Sequence, residues 1–318
     1  MRESLRLHAE DVRLLLTRKM DFVTVDCPAC GSGDFRTRLE KGGFDFVACA
    51  HCETLLVNPR PSPEMLEEFY EKSQSIRHWS TKIYPASEEV RRQKIFVPRA
   101  EQVIELCRKH RVGTTTLVDI GAGFGTFGEE LRKRSVFETV VAVEPSPELA
   151  ASCRRKGLTV VESVFEKAEI ENADVITCFE LIEHLFSPRD VVRSCRESLA
   201  AGGMLILTTP NVKGFDILVL GGASDTVIGP NHLNLFHPQS LAMLLEECGL
   251  EVIDTLTPGL LDAELVRKKM LSGEVDAADH SFLRHLLIER WEELGEAFQD
   301  FLAGHRLSSH MWMVARKT

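Results

Sequence analysis

Thr116-Leu-Val-Asp-Ile-Gly-Ala-Gly-Phe-Gly-Thr-Phe-Gly128 is the stretch whose reading decides the fold. Leu117 and Val118 read as the end of a buried strand, glycines 121, 123 and 125 as a tight turn, and Phe127 to Arg134 as the start of a helix. Glycine lets the backbone approach a ligand closely and adopt conformations that side chains disfavour. Two frames fit the turn. Gly123-Phe-Gly125-Thr-Phe-Gly128 matches the G-x-G-x-x-G dinucleotide fingerprint, which alone is a weak signal. The other frame is acid-x-Gly-x-Gly-x-Gly, with Asp119 two residues ahead of Gly121.

Asp119 decides between them. A carboxylate at the strand end repels a pyrophosphate and suits a cofactor with a cationic amino-acid moiety, which favours S-adenosylmethionine. The downstream sequence agrees. Val140-Val-Ala-Val-Glu-Pro-Ser-Pro is a second strand ending in Glu144, about 20 residues past the turn, where a carboxylate can accept both ribose hydroxyls. Val160 to Phe165, Asp174 to Glu180 and Gly203 to Pro210 supply three more strands. Strand and helix alternate throughout, which implies an α/β fold with a parallel sheet and a ligand crevice at the strand carboxyl ends.

Upstream, Cys27-Pro-Ala-Cys30 and Cys49-Ala-His-Cys52 form two Cys-x-x-Cys knuckles separated by 18 residues. That spacing suits a tetrahedral Zn2+ site. With Cys27, Cys30, Cys49 and Cys52 all as ligands no coordination position stays open, so the zinc is expected to be structural. A redox pair is the competing reading, and two matched knuckles weigh against it. The other five cysteines (Cys107, Cys153, Cys178, Cys195, Cys248) stand singly in apolar stretches and read as buried small hydrophobes.

The segment from about 113 to 257 resembles the class I methyltransferase family. The resemblance implies a Rossmann-like, seven-stranded sheet that binds S-adenosylmethionine. It places Asp119, Gly121, Ala122, Gly123, Gly125, Glu144 and Pro145 at the cofactor, Val164 and Phe165 near adenine, and Phe179 near the methionine end. With the zinc module ahead of it, the chain resembles methyltransferases encoded among sugar and polysaccharide biosynthesis genes. Thr-Pro-Gly-Leu-Leu-Asp (257–262) and Arg-Leu-Ser-Ser-His-Met-Trp (306–312) fit that group.

Catalytic groups are expected after strands four and five. Glu180, Glu183 and His184 have i, i+3, i+4 spacing, so one helical turn would bring all three to one face as a half-site for a divalent cation such as Mg2+. The Glu-x-x-Glu-His pattern resembles small-RNA 2′-O-methyltransferases and some ubiquinone-pathway O-methyltransferases, where it helps bind a divalent metal. The bland alternative is that Glu183 and His184 cap the next helix. Asn211 to Gly229 reads as a long insertion, and His232 after it as general base or further metal ligand. His237, before a proline and a helix, reads as a cap.

The organisation expected is an N-terminal helix and zinc ribbon (1–60), a proline-rich linker and helical lid (61–112), and a methyltransferase domain (113–318). The last carries a substrate loop (211–239) and a helical insertion (258–309). The insertion's apolar stripe (Phe282, Leu286, Trp291, Leu294, Phe298, Phe301) reads as core, with a homodimer contact as the alternative. A net charge of −10 weighs against a nucleic-acid partner. No stretch has the length or apolarity of a membrane span or signal peptide, so a cytoplasmic protein is expected. The leading function is methyl transfer to a polar small molecule, foremost O-methylation of a nucleotide-linked or glycan sugar, with N- or C-methylation open. RNA methylation (2′-O or base) and a non-catalytic zinc- and cofactor-binding scaffold are the alternatives.

Overall fold

The computed structural model describes residues 2–318. An amphipathic helix, α1 (Arg2–Leu16), buries Leu7 and Leu15 and leaves Leu5 and Leu14 in solvent. Next come β1 (Phe35–Lys41) and β2 (Phe44–Cys49), an antiparallel hairpin, with β3 (Leu55–Val57) antiparallel to β2. Gly42 and Gly43 make the hairpin turn with φ of +58° and +84°. Positive φ at both central residues matches the twist of the strands and falls naturally to glycine.

Four helices follow: α2 (Pro63–Lys72), α3 (Gln74–His78), α4 (Tyr84–Arg91) and α5 (Val97–His110). A π-helical turn, Arg92–Phe96, separates α4 from α5, as Trp79–Ile83 separates α3 from α4. Each wide turn runs up to a proline, Pro98 or Pro85. Proline lacks the N–H and its ring crowds the carbonyl four residues back, and a π turn accommodates both.

The cofactor domain then alternates β4 (Thr116–Ile120), α6 (Thr126–Arg134), β5 (Thr139–Val143), α7 (Pro147–Arg155), β6 (Thr159–Val161), β7 (Ala173–Phe179), α8 (Pro188–Ser198) and β8 (Leu199–Pro210). Then come α9 (Phe215–Leu220), β9 (Asn234–Leu235), α10 (Pro238–Glu247), β10 (Leu250–Leu256), α11 (Asp262–Leu271), α12 (Ser281–Arg284), α13 (Trp291–Gly304) and β11 (His310–Lys317).

Seven strands form one sheet in the order β10-β11-β8-β7-β4-β5-β6. Strands β4 to β8 pair in parallel, and β11 runs antiparallel between β8 and β10. This is the class I methyltransferase sheet. Apolar side chains cover both faces, Val118, Ile176 and Leu205 in one cluster and Leu117, Val175 and Ile206 in another, as a parallel sheet flanked by helices requires.

The four-cysteine ribbon does not stand apart. β9, from the stretch read as substrate loop, pairs antiparallel with β3 (Leu55 opposite Leu235, Leu56 opposite Asn234) and completes a second sheet, β1-β2-β3-β9. Two residues of strand are too short to leave a periodic signal in sequence. In the helical insertion Leu286, Leu287 and Leu302 are buried against Ala263 and Val266 of α11, while Phe282 and Phe301 stay exposed. Among the described residues no helix is long and apolar enough to cross a membrane.

Candidate active site

Chain direction across the sheet reverses at β4, with β5 on one side and β7 on the other, and a ligand crevice opens over such a switch point. The glycine turn lines it with φ of +69°, +56° and +71° at Gly121, Gly123 and Gly125. A Cβ at Gly121 would meet the Leu181 side chain at 3.2 Å, and one at Gly125 would meet Cys153 Sγ at 2.9 Å. A Cβ at Gly123 would meet nothing within 4 Å. Gly125 is therefore fixed by protein packing, whereas Gly123 faces open space. Ala122 O accepts from the Gly125 N–H at 2.9 Å, and behind the turn Lys156 Nζ donates to Phe124 O at 2.9 Å.

Glu144 sits at the end of β5. Its Oε2 accepts from the Gly123 N–H at 2.8 Å and its Oε1 from the Ser146 N–H at 3.0 Å. Burial raises its carboxyl, and each oxygen keeps a further lone pair for a hydroxyl donor. Pro145 beside it is exposed. Of the pair after β6, Val164 is exposed and Phe165 is buried in the core, so only Val164 is open to a ligand.

Asp119 is buried and accepts from Thr177 Oγ1 at 2.7 Å. Burial pushes its carboxyl up to about 7, against the pull of the Thr177 hydroxyl and the Arg99 charge. Arg99, on α5, reaches over the crevice. Its guanidinium lies 4.5 Å from the centroid of the Phe179 ring, and its NH2 group is 3.4 Å from Glu180 Oε1. Sequence reasoning missed Arg99. It stands in a helix with several basic residues, and no spacing ties it to the strand ends.

Of the three residues grouped by their spacing, Glu183 and His184 stay together while the Glu180 carboxylate takes other partners. Glu180 has φ of +49° and turns away: its Oε1 accepts from Thr208 Oγ1 at 2.5 Å and pairs with His310 Nε2 at 2.7 Å. Although burial opposes the charge, His310 and Arg99 hold this carboxyl well below the usual range. Glu183 and His184 lie in a single 3-10 turn, Ile182–His184, and meet His232 instead. One ligand atom from each of Glu183, His184 and His232 lies within 4.8 Å of the others. A one-turn 3-10 segment entered through a left-handed residue cannot align i with i+3 and i+4, which is why Glu180 leaves the group.

Glu183, His184 and His232 could together hold a cation. His184 Nδ1 lies 2.5 Å from Asn231 O and His232 Nδ1 2.6 Å from Thr226 O, so both rings carry the proton on Nδ1 and present a bare Nε2. Burial holds both imidazoles in the neutral form, His184 down to about 4 with help from His232. Glu183 is fully buried. Its Oε2 accepts from Thr209 Oγ1 at 2.9 Å, while Oε1 has no hydrogen-bond partner among the described residues. Burial and the nearby Glu180 drive its carboxyl well above the usual range. Two imidazole lone pairs and one carboxylate oxygen without a hydrogen-bond partner could serve as three ligands to a metal with open positions.

The four cysteines also converge. Cys27 Sγ lies 3.4 Å from Cys52 Sγ and Cys30 Sγ 3.5 Å from Cys49 Sγ, and all four sulfurs lie within 4.8 Å of one another. None is disulfide-bonded. A tetrahedron with metal–sulfur bonds of about 2.3 Å has edges of about 3.8 Å, so the cluster fits a zinc ion.

Residues 77–255 match the family model described as a methyltransferase domain, more than half of the chain. The chain belongs to the methyltransferase-domain family. Among curated relatives, the ubiquinone biosynthesis O-methyltransferase of Vibrio vulnificus (strain YJ016) is 28% identical over 147 residues, 42% of this chain and 63% of that protein. The same-named enzyme of Pseudomonas paraeruginosa is 27% identical over 175 residues, 51% of this chain and 74% of that protein. The match with the Vibrio protein thus spans less than two thirds of its length. Among solved structures, a SAM-dependent methyltransferase from Thermotoga maritima superposes with a TM-score of 0.49 at 15% identity, covering 76% of this chain and 99% of that one.

Proposed function

We propose that this chain transfers the methyl group of S-adenosylmethionine to a hydroxyl of a polar small molecule, foremost a sugar, with help from a divalent cation held by Glu183, His184 and His232. A structural zinc in the four-cysteine ribbon completes the reading. The observation that carries it is the pair of Nδ1-anchored imidazoles facing an orphaned buried carboxylate oxygen beside the family's cofactor crevice. The curated relatives are named O-methyltransferases, which supports a hydroxyl acceptor. Two neutral imidazoles and one carboxylate suit a divalent ion with a hydroxyl in an open position.

The division of labour follows from the side chains. Gly123 leaves room for the cofactor, Glu144 accepts from its ribose hydroxyls, and Asp119 and Arg99 lie towards its amino-acid end. S-Adenosylmethionine, when bound, would supply an electrophilic methyl on a sulfonium, and a divalent cation held by Glu183, His184 and His232 would lower the pKa of the acceptor hydroxyl. Glu183, His184 and His232 set where that hydroxyl sits. In-line transfer would exchange the sulfonium S–C bond for the new O–C bond, with S-adenosylhomocysteine as the leaving group and the hydroxyl proton released to solvent.

His232→Ala should lower kcat about 100-fold or more with the cofactor Kd unchanged, because it removes one ligand of three. Activity should also fall with a chelator too weak to strip a four-thiolate zinc, and return with Mg2+ or Mn2+. Labelled-methyl transfer onto a pool of sugars, with RNA as the comparison acceptor, gives the readout. Full chelator resistance in the wild type together with an inactive His232→Ala would make His232 a general base instead. Full activity of the variant would remove it from the site.

Asp119 gives a pH test. Its carboxyl titrates near 7, and the ionised form attracts the cofactor's cationic end. Cofactor affinity should therefore level off above about pH 7 and fall up to about tenfold per unit below it. Asp119→Asn should flatten that profile, as read by calorimetric titration from pH 5.5 to 8.5. A variant with the wild-type slope would assign the dependence elsewhere.

A further inference from the structure

Arg60 is fully buried and has no carboxylate partner among the described residues. A guanidinium taken out of water is costly, and burial alone draws its pKa down to about 10. Its donors instead collect neutral oxygens from three separate stretches of chain. Nε donates to Val57 O at 3.0 Å, on β3 of the ribbon. One terminal nitrogen donates to Phe186 O at 3.3 Å, and the other to Leu233 O at 3.3 Å and Asn234 Oδ1 at 3.0 Å. Phe186 is two residues past His184, and Leu233 is the residue after His232. The same strands are tied to each other: Leu233 N donates to Glu183 O at 2.8 Å, Asn234 Nδ2 to Leu185 O at 2.8 Å, and Val57 N to Leu233 O at 2.9 Å.

We infer that Arg60 is a positioning residue: it ties the four-cysteine ribbon to the two backbone segments that carry His184 and His232, so that the ribbon holds the ligand cluster in register. The inference rests on the role proposed for those histidines. Only a planar fork of five N–H donors can bridge three strands at fixed angles, and a carboxylate partner would take up donors the carbonyls need. His237 makes a parallel tie, its Nε2 lying 2.8 Å from Cys52 O of the second knuckle. The ribbon thus grips the 231–237 segment at both ends, through Arg60 at one and through a cysteine carbonyl at the other.

The test uses the full zinc-loaded chain with Arg60→Met, close in length and without donors. Amide exchange should quicken about tenfold or more in 183–186 and 230–235 while β5 is unchanged. Affinity for Mn2+, titrated by electron paramagnetic resonance, should weaken about tenfold or more, the loss expected when a residue orienting metal ligands is removed. kcat should fall in proportion, with the cofactor Kd and zinc content unaltered. Arg60→Lys, which keeps three donors, should recover part of the Mn2+ affinity. If Arg60→Met does not fold, Asn234→Ala removes one tie on the same segment and carries the same measurements. A folded Arg60→Met with wild-type exchange and Mn2+ affinity overturns the inference, as does a variant that loses only thermal stability. Should the wild type itself take no Mn2+, the metal role of the histidines fails, while the exchange experiment still decides whether Arg60 holds the segment.

Discussion

Replacing Gly123 by valine is expected to weaken S-adenosylmethionine binding about 100-fold or more, with little loss of fold. Two effects combine. The backbone at Gly123 has φ of +56°, which a β-branched residue adopts only at a cost of about 1–2 kcal/mol, so the turn shifts or strains. The side chain also projects into open space, since no protein atom lies within 4 Å of where a Cβ would stand. That space belongs to the crevice over β4, and two methyl groups there exclude a ligand. Any shift of the turn also disturbs the Gly123 N–H that holds Glu144 Oε2 at 2.8 Å, so the proposed ribose contact is lost with it. At 1.4 kcal/mol per factor of ten, a 100-fold loss is about 2.8 kcal/mol, within reach of filling the ligand's space and displacing the turn that lines it. The melting temperature of the cofactor-free protein should drop by only about 2–8 °C, the strain term alone. Calorimetric titration measures the first effect and thermal unfolding the second. A valine variant that bound the cofactor normally would mean that the open face of Gly123 is not the cofactor's.

The contrast with Gly125 shows how far the glycine pattern could be read. Three alternating glycines look equivalent in sequence, and all three have positive φ. Only the fold separates Gly125, closed off by Cys153 and Leu158, from Gly123, which faces a void. The alternation of strands and helices was legible because the central strands β4, β5, β7 and β8 carry apolar runs bounded by turn residues, and the resemblance implied the seven-stranded sheet that is found. The cysteine knuckles were legible because each is local, with two sulfurs fixed by four residues. The ligand cluster was legible only in part. Glu183 and His184 are neighbours, but their meeting with His232 depends on a loop closing over nearly fifty residues, and the departure of Glu180 on one left-handed backbone angle. Neither leaves a periodic trace. Arg60 was the least visible of all: in sequence it is one arginine among prolines, and its role exists only where β3, β9 and the turn after β7 come together.

Substituting serine for Cys49 is expected to remove zinc from the chain and to destabilise the N-terminal ribbon on the order of 5 kcal/mol, the range in which loss of a structural metal falls. The size of the effect follows from where Cys49 sits. It ends β2, its N–H donates to Thr54 O at 2.9 Å and its carbonyl accepts from Glu53 N at 3.0 Å, so it turns the strand into the second knuckle. Serine offers no thiolate, and three remaining sulfurs hold zinc far more weakly than four. The ribbon's buried Phe44, Phe46 and Val57 pack with Met65, Phe69, Ile217 and Leu233, and the ribbon also leans on the methyltransferase domain through β9, Arg60 and His237. Loosening the knuckles therefore propagates to the 231–237 segment, and kcat should fall together with zinc content. The seven-stranded sheet, whose strands pair with no strand of the ribbon's sheet among the described residues, should keep its cofactor affinity. Zinc measured by mass spectrometry, proteolysis between residues 25 and 60, and cofactor titration distinguish these effects. A serine variant with one zinc per chain would refute the four-cysteine centre. A zinc-free variant with full activity would instead break the link between the ribbon and the histidines while leaving the metal site standing.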